Sequence, residues 1–536
     1  MRRRALLRTG GAGLGIAFAG TGLLAGHSRA QPTTTQSSYE PLGRVDIDNA
    51  AEAVVGDDGD IVYVAATTGF ATVDINDPSE PELLAEERGL EFDERRFNEI
   101  LDVKVDGDLL AVAGPANQAN DFLFHGFAVY DVSDPAEPEL LGEPYETGYH
   151  IHNCYLEDET LYVVGNGELE NPLVIYDLGG DEIEEIGRWS LVEHEPDWQD
   201  VDWLVRYLHD VYVHDDIAYL AHWNAGTYLL DVSDPSDPAY ISHVTETTLE
   251  DELAVEDDNE AQMGLPGNDH YSAVDDTGDL LGVGREAWAT GQGDPDGPGG
   301  IDLYDVSDPA DPVHQATIDA PRALNERSNG GLWTTAHNFE LRDGELYASW
   351  YQGGVTIHDV SDPSEPEEIA SWRDPETAGF WTARVAESGE TFVASSTELI
   401  PNAPTEGALY TFPIEAGERA DQPHSPIPTI SRSTSKRRTT RTGKAAVAMT
   451  RRPTLTTEAT AMRVTVRTAT TARIPSPALP SGSALRVDSP RSRCFDDAAT
   501  ATSELSRVAF SSAPALAWPN NDMPGTPSEH QRTVSQ

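Results

Sequence analysis

Asp231-Val-Ser-Asp-Pro-Ser-Asp-Pro238 closes a short β-prone run, Tyr228-Leu-Leu230, and nearly the same phrase recurs from Asp131, Asp305 and Asp359. A variant, Asp74-Ile-Asn-Asp-Pro-Ser-Glu-Pro81, comes first. Proline cannot donate to a β-ladder, and Asp or Ser before it initiates a turn, so each copy marks the exit from a strand. Working outward from the phrase gives seven units. Their opening strands are expected near Glu52–Val55, Asp102–Val105, Asn153–Leu156, Asp210–Val213, Tyr271–Val274, Asn338–Leu341 and Thr382–Val385. A tight turn such as Asp106-Gly-Asp108 or Arg342-Asp-Gly344 follows, then a second strand such as Ala218–Ala221 or Leu346–Ser349. The third strand ends in the phrase, and a short fourth follows, as in Tyr240-Ile-Ser-His243. Four short antiparallel strands per unit of roughly 40 residues is the signature of a propeller blade. The expected fold is all-β, a seven-bladed β-propeller over residues 45–418, with no amphipathic helix of convincing length to interrupt the pattern.

The strand ends Phe70-Ala-Thr-Val-Asp74, Leu173-Val-Ile-Tyr-Asp177 and Tyr228-Leu-Leu-Asp231 follow an apolar-apolar-x-apolar-Asp pattern. In this the chain resembles the LVIVD-repeat family of secreted β-propellers, of the type found in salt-loving archaea. The resemblance spans residues 50–418 and implies the fold. It implies no chemistry, because that family is mostly without assigned activity. The third unit departs from the phrase (Asp177-Leu-Gly-Gly180), and the seventh has lost it (Phe412-Pro-Ile-Glu415).

The charge is uneven. Residues 31–420 hold 14 Lys and Arg against 85 Asp and Glu, and Lys104 is their only lysine. Carboxylates in every loop with almost no lysine suit a protein that stays hydrated in concentrated salt, and such a surface repels the phosphates of nucleic acid. Clusters such as Asp294-Pro-Asp296-Gly do not match the ligand spacing of an EF-hand calcium loop. The two cysteines, Cys154 and Cys494, make no disulfide framework, and Cys154 is expected as a buried thiol within a strand.

Both ends read differently from the middle. Arg3-Arg4-Ala-Leu-Leu-Arg8 resembles a twin-arginine export motif, followed by a Gly/Ala/Leu-rich stretch and a small-x-small cleavage site at Ser28-Arg-Ala30. Residues 1–30 are therefore expected to be a signal peptide and 31–44 a linker, with the mature protein secreted or at the cell surface. From about 419 the character inverts: residues 421–536 carry 16 Lys and Arg and 8 Asp and Glu amid Thr, Ala and Ser, the composition of a disordered basic tail. Acidic runs in GC-rich codons become Thr, Arg and Ser runs when read one base out of phase. A frameshifted linker to a membrane anchor would leave such a tail, and membrane attachment is expected only through such a lost anchor. A monomer is expected, with an extracellular ligand or envelope component as partner.

One column of the repeat carries chemistry. The residue before each opening strand is Ala51, Leu101, His152, His209, His270, His337 and Trp381, so four of the 15 histidines share one position in consecutive units. The opening strand of a blade is innermost, which places these imidazoles around one mouth of the central channel. Neutral imidazole suits iron, copper or zinc, and the absence of carboxylates in the column argues against calcium and magnesium. The arc of Ala51, Leu101 and Trp381 would leave an apolar approach for a small molecule. The constellation is similar to that of two other propeller families: carotenoid-cleaving oxygenases, with a four-histidine non-haem iron, and selenium-binding methanethiol oxidases, associated with copper. This is a likeness of arrangement, not of sequence. The plainer readings are a channel lining copied along with its blades, or a pocket for an organic anion. His150 shares a strand face with His152 and is expected as a supporting or replacement ligand, with Trp381 at the substrate approach. His222, Arg285, Glu286 and Trp350 read as ordinary second-strand residues. No phosphate loop, dinucleotide fingerprint or nucleophile elbow is present. Two functions stay open at this stage: a binding or scaffold propeller with a four-histidine metal site at its mouth, and a metal-dependent oxidoreductase, with non-haem iron or copper, acting on a small molecule.

Overall fold

The computed structural model describes residues 39–414, apart from 118–121, 167–168, 181, 256–261, 292–294 and 388. The signal peptide, most of the linker and the basic tail lie outside the described residues. Seven antiparallel sheets of four strands (the second with one short extra strand) form the seven blades of a β-propeller. The innermost strands, Ala53–Val55, Asp102–Asp106, Cys154–Glu157, Asp210–His214, Asp269–Val274, Phe339–Arg342 and Phe380–Glu387, pack side by side in a closed ring. Among the described residues, no helix is long and apolar enough to cross a membrane.

The ring closes through a strand outside the repeat pattern. Gly43–Asp46 pairs antiparallel with Ala408–Pro413 and becomes the outer strand of the seventh blade. Gly43 and Arg44, assigned to the linker from sequence, thus belong to the sheet. This also explains why the seventh unit lacks the phrase. Its fourth strand arrives from the other end of the chain, so no turn into one is needed after Phe412.

The phrase itself is two successive side-chain turns. Asp231 Oδ1 accepts from the Ser233 amide at 3.0 Å and the Ser233 hydroxyl at 2.6 Å. Asp234 Oδ1 repeats this with Ser236 at 3.1 and 2.6 Å. The turn is also an interblade clamp. The carbonyl of its first proline accepts a hydroxyl from the preceding blade: Pro135 from Thr72 at 2.6 Å and Pro309 from Ser242 at 2.5 Å. Apolar side chains fill the seams between blades, as where Phe127 and Val129 meet Cys154, Leu161 and Tyr176. Cys154 is buried and in no disulfide, as its strand position implies.

The two mouths differ because their loops do. One is edged by tight turns such as Asp275–Gly278. The other receives the described parts of the long connections between blades, 190–209, 245–255, 262–268 and 319–338, and of that within the fifth blade, 286–291 and 295–300. The histidine column opens on this second mouth.

Candidate metal centre

Ala51, Leu101, His152, His209 and His337 sit where the chain turns from the outer strand of one blade into the innermost strand of the next. His209 donates its amide to Ala221 O at 2.8 Å and His337 to Ser349 O at 3.0 Å, which fixes both backbones to the second strand of their own blade. His270 differs from expectation. It lies within its strand, at a β-bulge between Asp269 and Tyr271, and Trp381 occupies the matching bulge of the seventh blade. A bulge re-aims one side chain without breaking the sheet.

The four imidazoles form one continuous arc. Ring centroids are 4.1 Å apart for His152 and His209, 3.9 Å for His209 and His270, and 4.5 Å for His270 and His337. Trp381 ends the arc, 4.4 Å from His337. Three rings are oriented by backbone carbonyls: His152 Nδ1 by Ala116 O at 3.3 Å, His209 Nδ1 by His270 O at 3.1 Å, and His337 Nδ1 by Trp381 O at 2.5 Å. A carbonyl only accepts, so Nδ1 carries the proton and Nε2 presents a lone pair. Metal-binding histidines are oriented in this way by a second partner. Burial holds all four neutral. It lowers His152 to about 4 and His337 to about 3, and puts His209 and His270 well below the usual range. The Nδ1 atom of His270 has no hydrogen-bond partner among the described residues.

Glu286 joins this arc. Its Oε2 lies 3.6 Å from His270 Nε2, and its Oε1 accepts from the Tyr351 hydroxyl at 2.5 Å. Ligating atoms of His270, Glu286 and His337 all fall within 4.8 Å of one another. Burial raises Glu286 to about 8, the Tyr351 hydrogen bond offsetting only part of that. Two imidazoles and one carboxylate with open positions is a donor set that holds non-haem iron(II), and zinc or copper can use the same atoms. His209 stands next in the arc and His152 beyond it. His150 lies to one side, its Nε2 3.2 Å from the Tyr207 hydroxyl.

Sequence reasoning passed over Glu286 as an ordinary blade residue. Its column, the residue just after each second strand, reads Ala66, Pro115, Gly165, His222, Glu286, Trp350 and Thr397, and a lone carboxylate there was the available signal. Arg285, its neighbour, is structural: its Nε lies 3.2 Å from Asp269 and its Nη1 pairs with Asp302. His222 is fully buried against Trp189 and Tyr228, away from the arc.

Beneath the imidazoles the channel narrows to a gap of about 10 Å³ among Glu52, Asp102, Asn153, Asp210 and Asn338, room for one water at most. Glu52 accepts from Asn338 at 2.5 Å, Thr382 at 2.6 Å and Arg384 at 2.8 Å. Burial opposes its ionisation, but Arg384 and Lys104 outweigh it and keep the carboxyl below its usual range. Lys104 pairs with Asp102 here. The far mouth, about 630 Å³, opens below Lys104 and Arg384. Above the arc lies a separate chamber of about 360 Å³, walled by the long loops.

No curated protein matches the sequence. Among solved structures, the β-propeller domain of Cps50 (Swd1) from Myceliophteria thermophila is similar at 9% identity, with a TM-score of 0.47, over 69% of this chain and 98% of that one. Within the seven-bladed frame, the chain carries the LVIVD repeat in three regions, residues 57–86, 206–246 and 346–374, in the first, fourth and sixth blades.

Proposed function

We propose that this chain is a metal-dependent enzyme of the oxidoreductase type, exported and salt-adapted. In this reading one iron or copper ion sits at the channel mouth, held by His270, Glu286 and His337 with His209 and His152 alongside. The observation that carries the reading is the donor set: neutral imidazoles with oriented lone pairs meeting a buried carboxylate at the floor of a chamber. The bound ion would act as Lewis acid or redox centre. The chain's own residues orient the ligands, through the carbonyls of Ala116, His270 and Trp381, and exclude bulk water from below through the closed waist. The twin-arginine-like leader supports export in the folded state, with the ion in place.

Elemental analysis of purified protein tests the proposal. About one transition-metal ion per chain is expected, absent from a folded His270→Ala/His337→Ala variant. A folded, metal-free protein that takes up no added iron, copper or zinc would overturn it. One observation favours a second reading, a binding or scaffold propeller: carbonyls already satisfy the N–H donors of three of the four imidazoles without an ion. That metal-free outcome would support it.

A further inference from the structure

The chamber above the arc differs in character from the rest of the molecule. Trp203, Trp223, Trp288, Trp333 and Trp381 line it, half of the chain's 10 tryptophans. Its volume, about 360 Å³, lies at the small end of the range for ligand sites. In a chain of net charge −58, no Lys, Arg or Asp lines it among the described residues. Its one carboxyl, Glu286, is already engaged, accepting from the Tyr351 hydroxyl at 2.5 Å and facing His270 Nε2 at 3.6 Å. A charged ligand would leave water here without a fixed opposite charge to compensate. The indole N–H groups of Trp223 and Trp288, both on the wall and both buried, have no acceptor among the described residues. Unmatched donors favour a ligand with an acceptor oxygen and work against a cation, which the aromatic faces alone would otherwise attract.

We infer that this chamber binds a neutral, planar aromatic compound of one or two rings carrying a hydroxyl or carbonyl oxygen. Stacking on the tryptophans supplies affinity, and the oxygen supplies orientation. The inference rests on the metal reading only for which end of the ligand meets the imidazoles. The chamber exists without the ion.

The test uses the full-length protein treated with chelator, with 2-naphthol as probe and tryptophan fluorescence and calorimetry as readouts. Saturable quenching by 2-naphthol is expected at pH 7, with 2-naphthoate and tetramethylammonium each bound at least about tenfold more weakly. Trp288→Ala should weaken naphthol binding by about tenfold or more. Trp203→Ala, at a half-exposed rim position, serves if that variant does not fold. Naphthoate or tetramethylammonium binding as tightly as naphthol, or no saturable binding, would overturn the inference. Because the ion is absent throughout, this failure is separable from failure of the metal reading, which elemental analysis and metal uptake of the parent protein and the histidine double variant decide.

Discussion

Removing a single oxygen atom, in Tyr351→Phe, discriminates a metal centre from a channel lining. The Tyr351 hydroxyl donates to Glu286 Oε1 at 2.5 Å in a fully buried setting. The ring packs edge-on against His337 at 4.6 Å and Trp333 at 5.2 Å. Phenylalanine keeps both ring contacts and deletes only the hydrogen bond. Once an ion binds, Glu286 must be ionised, and the lost bond is then a charge-assisted one, worth about 1.5–3 kcal/mol. That corresponds to about 10- to 100-fold in affinity, the range found for partners that orient metal ligands. Competition for Co(II) or Cu(II) against a chromophoric chelator reads this directly, with circular dichroism confirming the fold. His150→Gln is the control. His150 contacts Tyr207, not the trio, and its replacement should leave affinity within about threefold. Tyr351→Phe protein that binds the ion within about twofold of the parent would refute the assignment of Glu286 as a ligand.

Other consequences concern the frame that holds the centre. Glu52→Gln leaves Arg384 and Lys104 short of a buried counter-charge and should cost about 3–5 kcal/mol. In a domain of this size that is a fall of about 4–6 °C in melting temperature by calorimetry. Asp231→Ala and Ser242→Ala should each lower the melting temperature without changing ion affinity. The first removes the turn bonds to Ser233, and the second the interblade bond to Pro309, worth about 1 kcal/mol. His222 is buried and neutral, lowered by burial to about 3, so its contribution to stability is complete above pH 6.5 and lost as pH falls toward 3. His222→Gln should therefore remove about 1.4 kcal/mol per pH unit from the acid slope below pH 6, measured by urea unfolding at several pH values.

Much of the frame is legible in the sequence because a turn made of Asp, Ser and Pro is a local device that declares itself wherever it occurs. The opening strands from Asp102 and Asp210 begin where the phrase spacing puts them. The ring closure is not legible. Gly43-Arg-Val-Asp46 has no turn chemistry of its own and becomes a strand only when Ala408–Pro413 offers an edge to pair with. The clamp between blades was equally hidden, since nothing in Thr72 or Ser242 indicates that a proline carbonyl from the next repeat will meet it. At the site, the histidine column could be read because duplication aligns equivalent positions. Glu286 could not be read that way, because it reaches the arc from the end of a second strand.

The waist connects these findings. A metal site gains affinity when its ligands are already held in the productive geometry, so the question is what fixes the arc. Glu52 opens the first blade, yet it binds Asn338 of the sixth and Thr382 and Arg384 of the seventh, bridging the seam where the first and last blades meet. Asn338 directly follows His337, and Thr382 follows Trp381, whose carbonyl orients the His337 ring. Lys104, the only lysine in residues 31–420, reaches from the second blade to Glu52 at 4.0 Å while pairing with Asp102 of its own strand. A single lysine at the axis, in a domain with none elsewhere, is explained by this position: its charge neutralises the layer on which the imidazoles stand. The rigidity of the mouth therefore originates one residue below it, in ionic contacts that touch neither the chamber nor the proposed ion.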